Sequence, residues 1–207
     1  TDIGRMKKEK LAAIEKACQA VIEGKYHDQF LVDLYQGGAG TSANMNANEV
    51  VANRALEIMG HKFGEYKYLH PLEHVNLSQS TNDVYPTAIK VALHFEIDLL
   101  IKAMEVLKIS FSDKATEFKD VLKMGRTQLQ DAVPMTLGQE FSTYAVMLEE
   151  DQQRLREAAL LIREINLGAT AIGTGINAHP DYAALARKNL SEVTGILYIT
   201  AGKLVEA

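Results

Sequence analysis

The sequence predicts a mostly α-helical fold, with a smaller helical domain over residues 1–80 and, over residues 81–207, the first part of a bundle of long helices. Apolar residues recur at helical spacing along two stretches of about 30 residues each, far beyond the usual helix length of ~11–12. No alternation of strands with helices, no internal repeat and no low-complexity segment is found in the sequence. Helices of this length need apolar partners on several sides, so we expect an oligomer.

Two shorter helices are predicted before the long ones. The first spans about Leu11–Ile22, where apolar residues keep helical spacing, and Gly24 closes it. The second spans about Asn46–Met59 and is closed by Gly60. The glycine-rich break that precedes it, with the residues that follow, is interpreted as a flexible loop that presents Thr41, Ser42 and Asn44.

The two long helices are separated by a polar segment. The first is predicted from Pro86, a favoured first helical residue, to about Phe118. Residues 123–131 are predicted to form a polar loop. Thr136 and Gln139 have the spacing of a capping box, which predicts that the second long helix starts there and continues to about residue 165.

Composition excludes several classes of protein. The chain has 22 basic and 27 acidic residues, a formal charge of -5, so nucleic acid is an improbable partner. No apolar run is long enough to span a bilayer, and no secretory signal is found, which predicts a soluble cytoplasmic protein. The one cysteine, Cys18, occupies an apolar helical position and is expected to be a buried, inert thiol. Because the chain lacks an initial methionine and stops within a potential helix, we expect it to be a piece of a longer protein.

Six consecutive polar residues, Ser78–Asp83, precede the first long helix. Ser80, Thr81 and Asn82 can offer hydroxyl and amide donors where unpaired backbone N–H groups and the helix dipole favour an anion. The simpler alternative is that Asp83 caps the helix and its neighbours form a turn. The segment alone leaves both interpretations open.

Two other motifs are poor candidates for a site. Residues 173–178 fit the pattern G-x-G-x-x-A, but they follow a long helix and not a strand, so a dinucleotide site is not expected. The segment from Gly37 to Ser42 lacks the lysine of a phosphate loop. The six histidines have no metal-ligand spacing, and no metal site is predicted.

Three polar loops share one chemistry. They cover residues 40–44, 78–83 and 125–128, and each is rich in neutral donors and poor in bases. Such donors suit a dicarboxylate and the negative charge that develops on it during a reaction. They do not supply a group that takes a proton.

Four segments together resemble the aspartase/fumarase superfamily. They are Gly37–Val50, His74–Asp83, Gly125–Ala132 and Leu167–Gly175, in the family order along essentially the whole chain. Within the superfamily, Thr81 and Gln128 favour the ammonia-lyase branch, which acts on aspartate, over class II fumarate hydratases, which more often have serine and histidine there. A fumarase with unusual loop residues is the alternative.

The resemblance implies reversible elimination of ammonia from L-aspartate to give fumarate, without an organic cofactor. The residues that it implies in substrate binding are Thr41, Ser42, Asn44, Ser80, Thr81, Asn82, Thr127 and Gln128. Ser80 and Thr81 would also be catalytic, because they would stabilise the enediolate-like intermediate.

The resemblance also implies an incomplete site. The family's catalytic base is a serine on a loop that would follow residue 207, and its active site is shared between subunits of a homotetramer. Thr127 and Gln128 would therefore act from another subunit. The chain taken alone is expected to be a non-catalytic helical piece.

Overall fold

The computed structural model of the chain describes residues 3–36 and 38–206. Its α-helices are α1 (Lys8–Ile22), α2 (Thr41–Ile58), α3 (Thr81–Glu117), α4 (Leu137–Leu161) and α5 (Tyr182–Thr194). Its strands are β1 (Leu122–Thr127), β2 (Gln130–Thr136), β3 (Glu164–Ile165) and β4 (Ile199–Thr200). A short 3-10 helix covers His27–Gln29 and a π-helical turn covers Pro71–Val75. The prediction of a mostly α-helical chain is confirmed. Gly37 and Ala207, which the predictions above include, lie outside the described residues.

The chain divides into two compact units. The first contains the residues up to Lys90 and those from Arg163 onward, and the second contains Val91–Ile162. Helix α3 begins in the first unit and ends in the second. The predicted domain boundary after residue 80 concerns a longer protein and stays a prediction.

The first unit has a core of small and aliphatic side chains between α1 and α2. Its buried members are Ala13, Ala17, Val51, Ala52, Ala55, Leu56 and Leu69. Alanine has no side chain beyond Cβ, so the two helices approach closely at low entropic cost. Cys18, predicted to be buried, is only partly buried where it packs against this core, and burial raises the pKa of its thiol.

In the second unit, the later turns of α3 pack against α4. Phe111, Phe118, Phe141 and Tyr144 form an aromatic cluster with ring centroids 5.3 to 5.9 Å apart. Gln152 is buried and donates its amide to the Ile101 carbonyl and the Glu105 carboxylate. Large apolar side chains stay exposed along both helices, among them Leu99, Val106, Ile109, Val146 and Met147.

Two predicted helix starts are wrong. Helix α2 begins at Thr41 and not near Asn46, so Thr41, Ser42 and Asn44 lie in its first turn and not in a flexible loop. Helix α3 begins at Thr81, and Pro86 lies inside it. Because proline lacks an N–H, the Asn82 carbonyl has no helical donor from Pro86, and the side-chain amide of Asn166 donates to it at 3.2 Å.

The predicted polar loop at residues 123–131 is mostly a hairpin. Strands β1 and β2 are antiparallel, and Thr127 pairs with Gln130 across a two-residue turn. The turn residues Gln128 and Leu129 have φ of 50° and 62°, the left-handed pair that matches the twist of a hairpin. The capping box at the start of α4 is confirmed, since Thr136 Oγ1 accepts the Gln139 N–H at 3.1 Å and Gln139 Oε1 accepts the Thr136 N–H at 2.9 Å.

Candidate functional site

The candidate site is built on the first turn of α3. The Ser80 hydroxyl oxygen accepts the Asn82 N–H at 3.3 Å, which fixes Ser80 as the cap of the helix. Ser80 and Thr81 are half-buried, whereas Asn82 is exposed. Side-chain donors therefore gather at the positive end of a long helix, where negative charge is stabilised.

Asp83 holds this turn in place. It is 0% exposed and its Oδ1 accepts the Ser80 N–H at 3.0 Å. Its Oδ2 accepts the backbone N–H groups of Gly168 at 3.1 Å and Thr170 at 2.8 Å. The carboxylate thus ties the helix start to the loop that follows β3, and it does not serve as the simple helix cap considered above.

The loop over residues 166–171 is shaped by two left-handed residues. Gly168 has φ of +92°, and a Cβ there would lie 2.8 Å from Ala183 Cβ. Thr170 has φ of 62°, a rare conformation for a β-branched residue, and its N–H points to Asp83. The Asn82 side chain donates to the Ala171 carbonyl at 2.5 Å, so a further bond joins α3 to this loop.

Thr81 is held from behind by α2. Asn44 Nδ2 donates to Thr81 Oγ1 at 2.9 Å. Asn44 is 8% exposed and Asn48, one turn later, is 5% exposed. Both amides also donate to Asn76 Oδ1, at 3.4 Å and 3.2 Å. This buried set of amides was not predicted from the sequence, although two asparagines four residues apart on the core face of a helix are a signal that could have found it.

The first turn of α2 presents Thr41 and Ser42 as exposed side chains. Gly40 precedes it with φ of +85°, and a Cβ there would lie 2.2 Å from the Tyr85 ring. The side chain of Gln36 accepts the Ala43 N–H at 3.0 Å and so acts as the cap of α2. Glycine and a remote glutamine replace the usual Ser, Thr or Asp cap, which explains why the helix start was predicted too late.

Thr127 and Gln128 lie in the second unit. They are exposed at the end of β1 and in the hairpin turn. Gly125 is buried where the register of the hairpin shifts, with Met135 Sδ 3.0 Å from the position of a Cβ. Arg126 and Asp131 form an exposed ion pair across the hairpin at 2.8 Å. The predicted substrate roles of Thr127, Gln128 and the six residues of the first unit stay predictions.

The groups hydrogen-bonded to Ser80, Thr81 and Asn82 are neutral apart from one. Within the described residues, Asp83 is the only ionisable side chain bonded to them, and its carboxylate is occupied by backbone N–H groups. No group of three or more His, Cys, Asp or Glu side chains in the described chain could hold a metal ion. The arrangement can bind an anion and stabilise developing negative charge.

His74 lies next to this region on the π-helical turn. The His70 N–H donates to His74 Nδ1 at 2.9 Å, and Lys10 Nζ lies 2.6 Å from His74 Nε2. Burial and, after it, the charge of Lys10 lower the pKa of His74. His70 uses its own Nδ1 to accept the N–H groups of Leu72 and Glu73.

A mainly apolar cavity of about 320 Å³ lies beside Ser78 and Gln79. Leu11, Ile14 and Leu185 line it, and Gln79 Nε2 donates to Tyr182 Oη at 2.7 Å at its edge. Burial raises the pKa of the Tyr182 hydroxyl. The mainly apolar lining of this cavity does not suit a dicarboxylate.

Neutral side-chain donors at helix starts, beside a loop shaped by Gly168, form a polar candidate site in a mostly helical protein. The chain matches the lyase family model over residues 2–207 and belongs to that family. This finding confirms the family resemblance drawn from the four sequence segments. Among the described residues, no helix has the length and apolarity needed to cross a membrane.

Curated relatives narrow the comparison within the family. An aspartate ammonia-lyase of Helicobacter pylori is 59% identical over 195 residues, covering 94% of this chain and 42% of the relative. Aspartate ammonia-lyases of Pseudomonas fluorescens and Escherichia coli are each 56% identical, covering 100% and 94% of this chain and 43% and 41% of the relatives. The chain therefore spans less than half the length of the curated relatives it matches.

Two solved structures share the fold. A fumarate lyase:delta crystallin from Brucella melitensis, bound to cobalt, has a TM-score of 0.95 and 53% identity over 99% of this chain and 45% of its own. A class II fumarase from Schistosoma mansoni has a TM-score of 0.90 and 32% identity over 98% of this chain and 46% of its own. The fold is thus shared by relatives of different named activity.

Proposed function

We propose that the protein containing this chain is an aspartate ammonia-lyase, which converts L-aspartate reversibly to fumarate and ammonia. The observation that carries the proposal is the 56–59% identity to curated aspartate ammonia-lyases, which extends over 94–100% of the chain and so over all three polar loops. The neutral donors at the start of α3 support it, because elimination needs stabilised negative charge on a carboxylate.

In this proposal a base removes a proton from Cβ of aspartate, anti to the amino group. The electron pair of that C–H bond moves into the β-carboxylate and gives an enediolate. Its collapse forms the carbon–carbon double bond and breaks the bond to nitrogen, which leaves as ammonia. Hydroxyls of Ser80 and Thr81 donate to the β-carboxylate and bind the enediolate more tightly than the ground state, which lowers the barrier.

The remaining site residues hold the substrate. Thr41 and Asn82 contact its amino and α-carboxylate end, beside Ser42 and Asn44. Thr127 and Gln128 complete the site from another subunit of a homotetramer. The base, a serine, comes from a segment that follows residue 207. The reaction as proposed needs no cofactor and takes place in the cytoplasm.

A paired assay of the full-length protein tests this function. We expect fumarate to form from L-aspartate and aspartate to form from fumarate with ammonium, both followed by the ultraviolet absorbance of fumarate. Rapid hydration of fumarate to malate, with no fumarate from L-aspartate, would instead identify a fumarase.

Variants of the full-length protein test the role of the hydroxyls. Replacing Thr81 with valine keeps the shape and removes one donor, so kcat should fall by ~10²–10³. Thr116→Val is the matched control, because Thr116 is exposed farther along α3 and its hydroxyl donates to the Ser112 carbonyl of the same helix. Equal kcat values for the two variants would refute the role of Thr81.

The isolated chain should be inactive, since the proposed base lies outside it. Purified residues 1–207 should release no ammonia from L-aspartate at concentrations where the full-length protein is active. In solution the full-length protein should have the mass of a tetramer by light scattering.

A further inference from the structure

Three asparagine amides, of which Asn44 and Asn48 are buried and Asn76 is half-buried, are hydrogen-bonded in a chain that reaches the Thr81 hydroxyl. Asn44 and Asn48 occupy successive turns of α2, and Asn76 precedes α3. The amide of Asn44 donates to Thr81 Oγ1 at 2.9 Å and to Asn76 Oδ1 at 3.4 Å, so both of its N–H groups have an acceptor. The set is therefore a hydrogen-bond relay that starts in the core and ends at a proposed catalytic hydroxyl.

The direction of each bond follows from chemistry. The backbone carbonyl of Gln79 can only accept, and Asn76 Nδ2 donates to it at 3.2 Å. Asn76 must then turn its oxygen toward α2, where it accepts from Asn48 at 3.2 Å and from Asn44. Asn48 Nδ2 also reaches Asn44 Oδ1 at 3.5 Å, so the oxygen of Asn44 points to Asn48 and its NH₂ to Thr81.

This direction decides what the Thr81 hydroxyl can do. A hydroxyl has one proton and two lone pairs, and Asn44 occupies a lone pair. Among the hydrogen bonds of the described residues, the Thr81 hydroxyl accepts one and donates none. Its proton is thus kept for a partner outside the relay.

We propose that Asn44 is a positioning residue, held by Asn48 and Asn76, which turns the Thr81 hydroxyl so that its proton is donated to the substrate carboxylate. The inference rests on the proposed function and adds a reason why the hydroxyl is ready before substrate binds. A preset donor needs no reorientation as charge develops, which is the condition for strong electrostatic stabilisation.

Reversal of the relay is the direct test, in full-length protein. Asn44→Asp replaces the NH₂ with an oxygen that can only accept, so Thr81 would turn its proton inward. We expect kcat to fall by ~10²–10³, with a much smaller change in KM. The ratio of variant to wild-type kcat should rise at low pH, because a protonated carboxyl can again donate to Thr81.

A double-mutant cycle separates this role from a general effect of the new charge. If Asn44 acts through Thr81, Asn44→Asp should lower kcat by less than ~10-fold in a Thr81→Val background. The inference would be overturned if the kcat losses of Asn44→Asp and Thr81→Val multiply in the double variant. A wild-type kcat in Asn44→Asp alone would overturn it as well. Asn48→Asp should give the same pattern, because Asn48 is bonded to Asn44 and not to Thr81 itself. This variant tests the inference if Asn44→Asp fails to fold.

Asn53→Asp is the matched control on the same helix. The Asn53 oxygen accepts the Gly64 N–H and its NH₂ donates to the Tyr66 hydroxyl, away from Thr81. Its kcat and pH profile should equal those of the wild type. A wild-type protein that forms no fumarate from L-aspartate would overturn the proposed function. If the wild type is active but the kcat losses of the two single variants multiply, only the role of the asparagine relay is overturned.

Discussion

The carboxylate of Asp83 accepts the backbone N–H of Thr170 at 2.8 Å, although 87 positions separate the two residues in sequence. The same carboxylate accepts the Ser80 N–H, so one buried side chain fixes both the proposed donor turn and the loop beside it. Such a group is costly to replace, because its removal leaves buried N–H groups without an acceptor.

Asp83→Asn should destabilise the full-length protein by about 2–4 kcal/mol, since an amide cannot accept at both of its ends. The free energy of unfolding in urea measures the change. Asp98→Asn is the control on the same helix, where the carboxylate is exposed, and it should change stability by less than ~0.5 kcal/mol. Equal effects of the two variants would contradict the clamp described for Asp83.

Gly40→Ala should cost about 2–4 kcal/mol, which combines a left-handed backbone with a clash against the Tyr85 ring. Gly60→Ala is the matched control, because Gly60 has φ of +81° and nothing within 4 Å of its Cβ position. It should cost only the conformational part, ~1–2 kcal/mol. The difference between the two unfolding free energies isolates the contact with Tyr85, and no difference would argue against that contact.

Leu129→Gly should stabilise the protein by about 0.5–1 kcal/mol, because Leu129 has φ of 62° in the hairpin turn and its side chain is 102% exposed. Thermal unfolding should show a higher Tm. Leu122→Gly, in the extended backbone of β1, should instead lower stability, since Leu122 is 77% exposed but has no left-handed strain to relieve. The hairpin geometry would be refuted if both glycines acted in the same direction.

The lowered pKa of His74 predicts a pH dependence of stability. The folded protein binds a proton at His74 less readily than the unfolded chain, so stability is full above the ordinary histidine pKa of ~6.5 and is lost as pH falls below it. Urea unfolding from neutral to mildly acidic pH measures this slope.

Two variants assign that slope to His74. Lys10→Met removes the neighbouring positive charge and should make the slope shallower. His27→Gln, at an exposed histidine, should leave the slope as in the wild type. An unchanged slope in Lys10→Met would exclude the contribution of that lysine.

Hydrophobic periodicity identified both long helices, and the capping box marked the start of α4, but the start of α3 was predicted too late. The apolar positions of α3 and α4 repeat over many turns, so the pattern is strong. Pro86 was placed first in its helix because proline is common there, yet Asn166 satisfies the carbonyl that Pro86 leaves open. Asn166 lies 80 positions from Pro86 in the sequence, so rules based on neighbouring residues cannot predict this hydrogen bond.

The hairpin was missed for a related reason. Its turn carries Gln128 and Leu129, whereas Asn-Gly or Asp-Gly is the usual signal for left-handed turn residues. Of the candidate site, the donors Ser80, Thr81 and Asn82 could be predicted, because helix starts favour anions whatever the tertiary fold. The bonds from Asp83 to the loop over residues 166–171 and from Asn44 to Asn76 could not, since they join segments distant in sequence. Only the four-residue spacing of Asn44 and Asn48 indicated that amides lie on the core face of α2.

The donors of the proposed site are hydroxyls and amides, which have no charge to gain or lose between mildly acidic and mildly alkaline solution. Affinity for a dicarboxylate contributed by these groups should therefore stay constant over that interval. Any bell-shaped pH–rate profile of the proposed enzyme would then report the ionisation of its base and of the substrate's ammonium group. The donors of the site would add no ionisation of their own to that profile.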